Sequence, residues 1–119
     1  MALHLLKGKN AEQLAQRYLE KNGLRIRENN YRCRLGEIDL VMHDASTLVF
    51  VEVRYRKNEL FGSACESVTS SKQRKLLAAA SLYLQQQRIH APCRFDIVGI
   101  TGENDNYRID WLKDAFQGV

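Results

Sequence analysis

Apolar residues are densest near the middle of the chain, in two runs separated by a short polar stretch. The runs cover residues 36–43 and 48–56, and residues 44–47 between them are of the types that favour a turn. The second run is apolar on both faces, which is typical of a covered central strand. The pattern therefore predicts an antiparallel hairpin at the centre of a β-sheet.

The predicted hairpin brings two acidic residues together. With a symmetric turn, Val41 lies opposite Phe50 and Asp39 lies opposite Glu52. Like charges at directly opposed positions destabilise a sheet, and two carboxylates in a partly dry place need a cation or a bound proton. Arg54 follows Glu52 on the same face. The simplest physical interpretation is a divalent metal site at one end of the sheet, with a cation beside it.

A buried salt bridge is the alternative that these residues leave open. In that arrangement Arg54 and Arg56 neutralise Glu52 and Asp39, and no metal is involved. The metal interpretation is favoured by the motifs found along the rest of the chain.

The other elements follow from the spacing of apolar residues, which is helical in some segments and alternating in others. In chain order the prediction is a helix at residues 3–22, a strand at 24–34, the hairpin, a helix from Ser70 or Ser71 to about Arg88, a strand at 93–101, an edge strand at 107–111 and a helical turn at 112–116. A strand–helix–strand connection usually makes its two strands parallel. The sheet is therefore predicted to be mixed, with an antiparallel hairpin joined to a parallel strand.

The second helix has a predicted start and a predicted inward face. Ser70 and Gln73 have the spacing of a capping box. The inward face, with Ala79 at its margin, is expected to carry residues that recur at helical spacing: Leu76, Ala80, Tyr83, Leu84 and Gln87. The first turns are basic, through Lys72, Arg74 and Lys75. Cations oppose the dipole of a helix N-terminus, so this placement suits a docked anion, although an ordinary solvated face is the alternative.

The strand at residues 24–34 is rich in arginine and leads directly into the hairpin. Its four arginines, which we expect beside the carboxylate pair, are Arg25, Arg27, Arg32 and Arg34. The planar guanidinium group suits phosphate contacts. A charged edge strand that discourages aggregation is an equally good interpretation.

Composition narrows the class of protein. A chain of 119 residues forms one domain, 1–119, and its 45% hydrophobic and 27% charged residues are ordinary for a globular protein. The net charge of +4 is compatible with a polyanionic partner. Three scattered cysteines without CxxC spacing predict a reducing, cytoplasmic location and no thiolate zinc site. No apolar run is long enough to span a membrane, so no membrane partner is expected.

Several short motifs lie along the chain. They are Gly8 with Glu12, Asn30, GEIDL at residues 36–40, VFVEVRYR at 49–56, Phe61-Gly62, Lys72, and RFD at 94–96. On these residues the chain resembles the bacterial UPF0102 (YraN) family over nearly its whole length. The fold of that family is similar to PD-(D/E)XK restriction-endonuclease-like nucleases and archaeal Holliday junction resolvases. The resemblance implies an α/β fold with an αβββαβ core, in which helices flank a central mixed sheet.

The resemblance also implies roles for particular residues. Asp39 and Glu52 match the two acidic metal ligands, and the carbonyl of Val53 completes the protein ligands of a Mg²⁺ or Mn²⁺ ion. Glu12 matches an assisting acid that holds a second metal or a water, and Arg54 occupies the position of the motif's lysine. Lys72 or Gln73 matches a helical residue that aids the site. The nucleic-acid-binding residues implied are Arg32, Arg34, Arg56, Lys72 and Gln73.

The implied activity is metal-dependent hydrolysis of DNA by an endonuclease selective for branched DNA such as Holliday junctions. Resolvases of this kind work as twofold dimers, so a homodimer is expected. Arg54 departs from the motif because arginine, unlike lysine, does not lose its proton in proteins. The alternative is therefore a catalytically inactive nucleic-acid-binding or interaction module on a nuclease scaffold.

Overall fold

The computed structural model describes residues 8–117, which form a five-stranded sheet with one helix on each face. The elements in chain order are α1 (Gly8–Lys21), β1 (Arg25–Cys33), β2 (Gly36–Asp44), β3 (Thr47–Arg56), a 3₁₀ turn (Cys65–Ser67), α2 (Ser70–Gln87), β4 (Cys93–Glu103) and β5 (Asn106–Phe116). The order along the sheet is β1-β2-β3-β4-β5, and only β3 and β4 are parallel. The predicted αβββαβ mixed sheet is therefore confirmed, with β5 as an added edge strand.

The predicted hairpin forms with a two-residue turn. Val41 pairs with Phe50, as predicted, and Asp44 pairs with Thr47 across the turn. From Leu48 to Glu52 every residue of β3 is buried, because α1 covers one face of the sheet and α2 covers the other. The central, covered position of β3 is confirmed.

Two predictions about α2 were wrong. The helix is capped by Thr69, whose hydroxyl accepts a hydrogen bond from the main-chain N–H of Lys72, so the Ser70 capping box does not form. Ala79 is fully buried at the centre of the inward face, whereas Gln87 is exposed. The small alanine side chain allows the helix to approach the sheet closely, which spacing alone did not reveal.

The C-terminal segment also differs from the prediction. Residues 112–116 continue β5 as a strand and do not form a helical turn. The ring of Phe116 stacks on Phe95 at 5.0 Å between centroids, which gives this extension an apolar partner. Residues 3–7 of the predicted first helix lie outside the described part of the chain. Within residues 8–117 no helix is both long and apolar enough to cross a membrane.

Candidate metal centre

Three carboxyl groups from three elements lie near one another where the pairing of β2 with β3 ends. Asp39 of β2 is 6% exposed and Glu52 of β3 is 3% exposed, while Glu12 of α1 is partly buried beside them. Both Glu12 and Glu52 lie close enough to Asp39 for its carboxylate to raise the pKa of each. The structure therefore brings together the three acids that the sequence singled out.

Asp39 reaches both of its neighbours because β2 is irregular at this position. Ile38 packs with the apolar cluster under α2, whereas Leu40, only two residues later, packs with the cluster under α1. The regular alternation of a strand would put both side chains on one face. Opposite Asp39, Asn30 of β1 has a φ of 52°, a left-handed conformation that asparagine tolerates better than most residues. Such local distortions redirect side chains and are common beside active sites.

The main-chain pairing of β2 with β3 stops next to this irregularity. The last pair is Leu40 with Val51, so the predicted pairing of Asp39 with Glu52 does not form. Two residues beyond Val51, the N–H of Val53 donates to Asp39 Oδ2 at 2.8 Å. The Asp39 carboxylate thus occupies the gap between the two strands. From that gap its charge acts on both Glu12 of α1 and Glu52 of β3.

Burial makes ionisation of this cluster unfavourable. It raises the pKa of Glu52 to about 8, and the nearby Asp39 carboxylate adds to the effect, while Lys72 and Arg54 oppose it. Burial followed by repulsion from Asp39 raises the pKa of Glu12 to about 7. Burial also raises the pKa of Asp39, against the lowering effect of the Val53 hydrogen bond. Without a further cation, the three groups together retain protons at neutral pH.

One buried oxygen supports a cation at this place. Glu52 Oε1 is buried and has no hydrogen-bond partner. A buried acceptor without a partner is costly, and a divalent ion shared with Asp39 would satisfy it. In residues 8–117 no three His, Cys, Asp or Glu side chains are arranged to enclose an ion by themselves. Two carboxylates and one carbonyl, completed by water, suit Mg²⁺, which is usually bound by few protein ligands.

Two cations contact the other oxygen of Glu52. Arg54 Nη1 lies 3.4 Å from Glu52 Oε2, and Lys72 Nζ of α2 lies 3.7 Å from the same atom. The salt-bridge alternative is therefore present in part, but with Lys72 in the place expected for Arg56. Among the ion pairs of the described chain, none involves Asp39 or Arg56. Arg56 is partly buried four residues beyond Glu52 on β3.

The structure distinguishes the two candidate residues of α2. Lys72 contacts the carboxylate cluster, whereas the Gln73 amide donates to the carbonyl of Val68 at 3.4 Å. A lysine therefore stands beside the second acid, although it comes from α2 and not from the motif position occupied by Arg54. Of these two residues, Lys72 is therefore the one in contact with the carboxylate cluster.

A basic groove lies between the β1–β2 turn and the first turns of α2. It has a volume of about 430 Å³, and its lining includes Arg32, Arg34, Lys72 and Lys75. Gly36 lets the turn approach α2, because its φ is +152° and an added Cβ would lie 3.2 Å from the Lys75 carbonyl oxygen. Arg32, Arg34 and Lys72 thus line one surface next to the carboxylates.

The other two arginines of β1 do not lie beside the carboxylates. Arg25 pairs with His43 near the opposite end of β2, and Arg27 donates from Nε to the Tyr83 hydroxyl at 2.8 Å. The expectation for these two was wrong because a nine-residue strand spans the sheet, so that only its C-terminal arginines reach the site.

Arg54 is held by a residue that sequence reasoning missed. Its Nε donates to Ser67 Oγ at 2.9 Å, from the 3₁₀ turn that packs over β4. Gly99 of β4, the partner of Arg54 in the sheet, allows that packing: an added Cβ would lie 2.8 Å from Cys65 Sγ and 3.1 Å from Ala64 Cβ. No sequence signal marks Ser67, because the contact joins segments on different layers.

Replacing Gly99 with alanine is expected to displace the 3₁₀ turn and weaken the hold of Ser67 on Arg54. Overpacking of this kind costs about 1–3 kcal/mol, measurable by urea unfolding. The double variant Gly99→Ala/Cys65→Ala removes the thiol that is in closest contact and should recover part of the loss. If Gly99→Ala and the wild type have equal free energies of unfolding, the 3₁₀ turn moves away from β4 without loss of stability.

Comparison with known proteins places these residues in a family context. A family model described as "Uncharacterised protein family UPF0102" matches residues 11–100, a range that contains the carboxylates and Lys72. A UPF0102 protein of Nitrosococcus oceani is 54% identical over 118 residues, covering 98% of this chain and 95% of the relative. The UPF0102 protein lpg2994 of Legionella pneumophila is 51% identical over 112 residues, covering 92% of this chain and 93% of the relative. A UPF0102 protein of Stutzerimonas stutzeri is 49% identical with the same coverage.

Proposed function

The chain belongs to the UPF0102 family, and on that premise we propose that its carboxylate cluster is the centre of a metal-dependent DNA endonuclease. The observation that carries the proposal is the unpartnered, buried Oε1 of Glu52 next to a second carboxylate, Asp39. A fold has little need for two buried acids side by side, because each must be neutralised. A divalent ion between them would neutralise both carboxylates and satisfy Glu52 Oε1.

The proposed ligands are the Asp39 and Glu52 carboxylates and the Val53 carbonyl. A Mg²⁺ or Mn²⁺ ion bound there would polarise a phosphate oxygen and lower the pKa of a bound water. The N–H of Val53 fixes one oxygen of Asp39, which leaves its second oxygen as a ligand. Arg54 and Lys72 likewise fix one oxygen of Glu52 and leave Oε1 for the ion.

The remaining residues of the cluster have roles that follow from their charge. Arg54 and Lys72 stand where they can stabilise the extra negative charge of a phosphate under attack. Arg54 is unsuited to act as a base, since it keeps its proton and is fixed by both Ser67 and Glu52. Glu12, with its pKa raised to about 7 by burial and by Asp39, is suited to accept or donate a proton at neutral pH.

The basic groove is the proposed path of the DNA backbone. Its arginines and lysines would contact phosphates, and such contacts position DNA without reading sequence. Branched DNA as substrate and a twofold homodimer are proposed on the similarity of this fold to Holliday junction resolvases. A four-way junction has twofold symmetry, which a twofold dimer matches.

A second candidate is a binding module without catalysis. It is favoured by the two cations, Arg54 and Lys72, that already neutralise one oxygen of Glu52. Under this alternative the basic groove still binds nucleic acid, but the carboxylates only maintain the fold.

Addition of Mn²⁺ is expected to raise the melting temperature of the wild type and not that of Asp39→Asn. An ion that binds only the folded state at ten times its Kd adds about 1.4 kcal/mol, or about 5–10 °C for a domain of this size. Differential scanning fluorimetry measures the shift. The matched control is Glu20→Gln, which removes an exposed carboxylate about two turns along α1 from Glu12 and should respond as the wild type does. A shift retained in Asp39→Asn places the ion elsewhere.

The reaction itself is tested by incubating the purified protein with linear, flapped, single-stranded and four-way DNA in Mg²⁺ or Mn²⁺. Metal-dependent cleavage supports the endonuclease. Absence of cleavage of all these DNAs contradicts the enzyme, and absence of any metal-dependent stabilisation as well favours the binding module.

A further inference from the structure

Two large apolar side chains project into solvent from the loop that follows β3. Phe61 is 87% exposed and Leu60 is 79% exposed, more than any other large hydrophobic residue in the described chain. Adjacent exposed apolar residues of this size commonly mark a binding surface. The Phe61-Gly62 pair is one of the sequence motifs, and the carboxylate cluster gives it no role.

The turn that carries these side chains is fixed by several hydrogen bonds. The N–H of Leu60 donates to Asn58 Oδ1 at 3.0 Å, and the N–H of Gly62 donates to the Glu59 carbonyl at 3.2 Å. The Glu59 carboxylate is paired with Arg108 of β5 at 2.6 Å. Phe61 is therefore held outward by its own turn, so its exposure is a defined feature of the surface.

Both ends of the loop are connected to the candidate metal centre. The loop begins after Arg56, four residues beyond Glu52, which is about 13 Å along a strand. It returns through Ser67, which accepts the hydrogen bond from Arg54. The loop that carries Phe61 is therefore connected at both ends to residues of the candidate metal centre, so DNA held at the carboxylates would lie next to this loop.

The size of the patch distinguishes between the partners that it fits. Two such side chains offer about 300 Å² of apolar surface, whereas a stable protein interface needs about 800 Å² from each partner. An aromatic ring stacked on a nucleobase needs no larger area. The neighbouring charges are paired, Lys57 with Glu103 and Glu59 with Arg108, so the flat ring is the main group that the tip presents.

We propose that Phe61, with Leu60 beside it, stacks on a base left exposed where a DNA strand branches, and so directs the carboxylate cluster to interrupted duplexes. The inference rests on the proposed function and adds to it a residue that determines substrate specificity. Base stacking on an aromatic side chain is worth about 5- to 100-fold in affinity. Continuous duplex, whose bases are already stacked, offers Phe61 no such partner.

The test compares binding of a four-way junction and of linear duplex of the same sequence, in EDTA so that no metal-dependent turnover occurs. Bases at the branch carry 2-aminopurine, whose fluorescence reports changes in stacking. We expect Phe61→Ala to lose about 5- to 100-fold of the preference for the junction, while its affinity for linear duplex is unchanged. Phe61→Trp should keep the preference, with its added indole quenched on binding. The matched control is Leu112→Ala, which removes another exposed apolar side chain, from β5.

Each outcome bears on the inference separately from the proposed function. Equal junction preference in wild type and Phe61→Ala overturns the inference, as does a wild type that does not prefer junctions over linear duplex. A dimer by light scattering that Phe61→Ala dissociates also overturns it, because the patch is then a subunit interface. A junction preference that depends on Phe61, in a wild type that cleaves no DNA, supports the inference and contradicts the proposed enzyme. The high exposure of Phe61 means that unchanged melting temperatures are expected for both variants.

Discussion

Metal-dependent DNA cleavage is expected to fall by about 10³-fold or more when Glu52 is replaced by glutamine. Glutamine keeps the size of the side chain and an oxygen, but it loses the negative charge that a divalent ion requires. The buried position of Glu52 means that water cannot easily supply a substitute ligand. The loss should appear in the single-turnover rate at saturating DNA, because the groove residues that bind the backbone are untouched.

The same substitution is expected to make the protein more stable at pH 8. The pKa of Glu52 is raised to about 8 by burial and by Asp39, from 4.5, so in metal-free protein the folded state holds a proton that the unfolded chain has already released. Stability of the wild type therefore falls as pH rises from about 4.5 to about 8. Glutamine does not ionise, so Glu52→Gln should gain on the wild type across this window, by a few kcal/mol at pH 8.

Urea unfolding in EDTA at pH 5 and pH 8 measures the second effect. Saturating Mn²⁺ should reverse the order at pH 8, since the ion stabilises only the protein that binds it. Glu20→Gln, which changes an exposed carboxylate of α1, is the control for both assays. Cleavage unchanged in Glu52→Gln would point to a contaminating nuclease, and a stability difference that is the same at both pH values would show that Glu52 is not protonated in the fold.

Replacing Asp96 with alanine is expected to destabilise the protein by about 3–5 kcal/mol without changing the response to Mn²⁺. Asp96 is 1% exposed and accepts hydrogen bonds from three groups, Arg94 Nε at 3.0 Å, Trp111 Nε1 at 2.9 Å and the N–H of Asp114 at 2.9 Å. Its removal leaves the guanidinium of Arg94 and two other donors without this acceptor in a largely dry place. The RFD motif therefore joins β4 to β5 and takes no part in the carboxylate cluster.

Urea unfolding compares Asp96→Ala with Asp110→Ala, which removes a carboxylate at the surface. Asp110 pairs with Arg108 at 3.0 Å with both side chains about half exposed, and such pairs contribute about 1 kcal/mol or less. A loss below 1 kcal/mol for Asp96→Ala would show that the network around it is not needed for the fold. A lost Mn²⁺ response in a variant that is still folded would give Asp96 a role in the metal centre.

The sequence by itself determined the central strands and the direction in which they pair. Apolar residues on both faces of β3 determined that it is the central strand, because such a strand is stable only where both of its faces are covered. The turn between residues 44 and 47 then fixed the register, and with it the approach of Asp39 to Glu52. The helix between β3 and β4 determined that these two strands are parallel.

Only the tertiary structure decided which cations reach the carboxylates. Lys72 of α2 contacts Glu52, whereas Arg25 and Arg27 point to other parts of the sheet, although all three stand in basic segments. The distances involved depend on how deeply α2 sits against the sheet and on how far each strand runs. Those distances arise from side-chain packing between layers, and the spacing of residue types along the chain does not determine that packing.

The irregularity at Asp39 has the same origin. A strand pattern predicts strict alternation, and it gave no sign that Ile38 and Leu40 would pack on opposite faces. Both strands that flank β2 stabilise this irregularity. Asn30 of β1 adopts a left-handed conformation, and the N–H of Val53 of β3 donates to Asp39. The sequence thus determined that two acids meet in the sheet, and the packing of three strands decided that one of them lies in the gap between strands, where it can share an ion with the other.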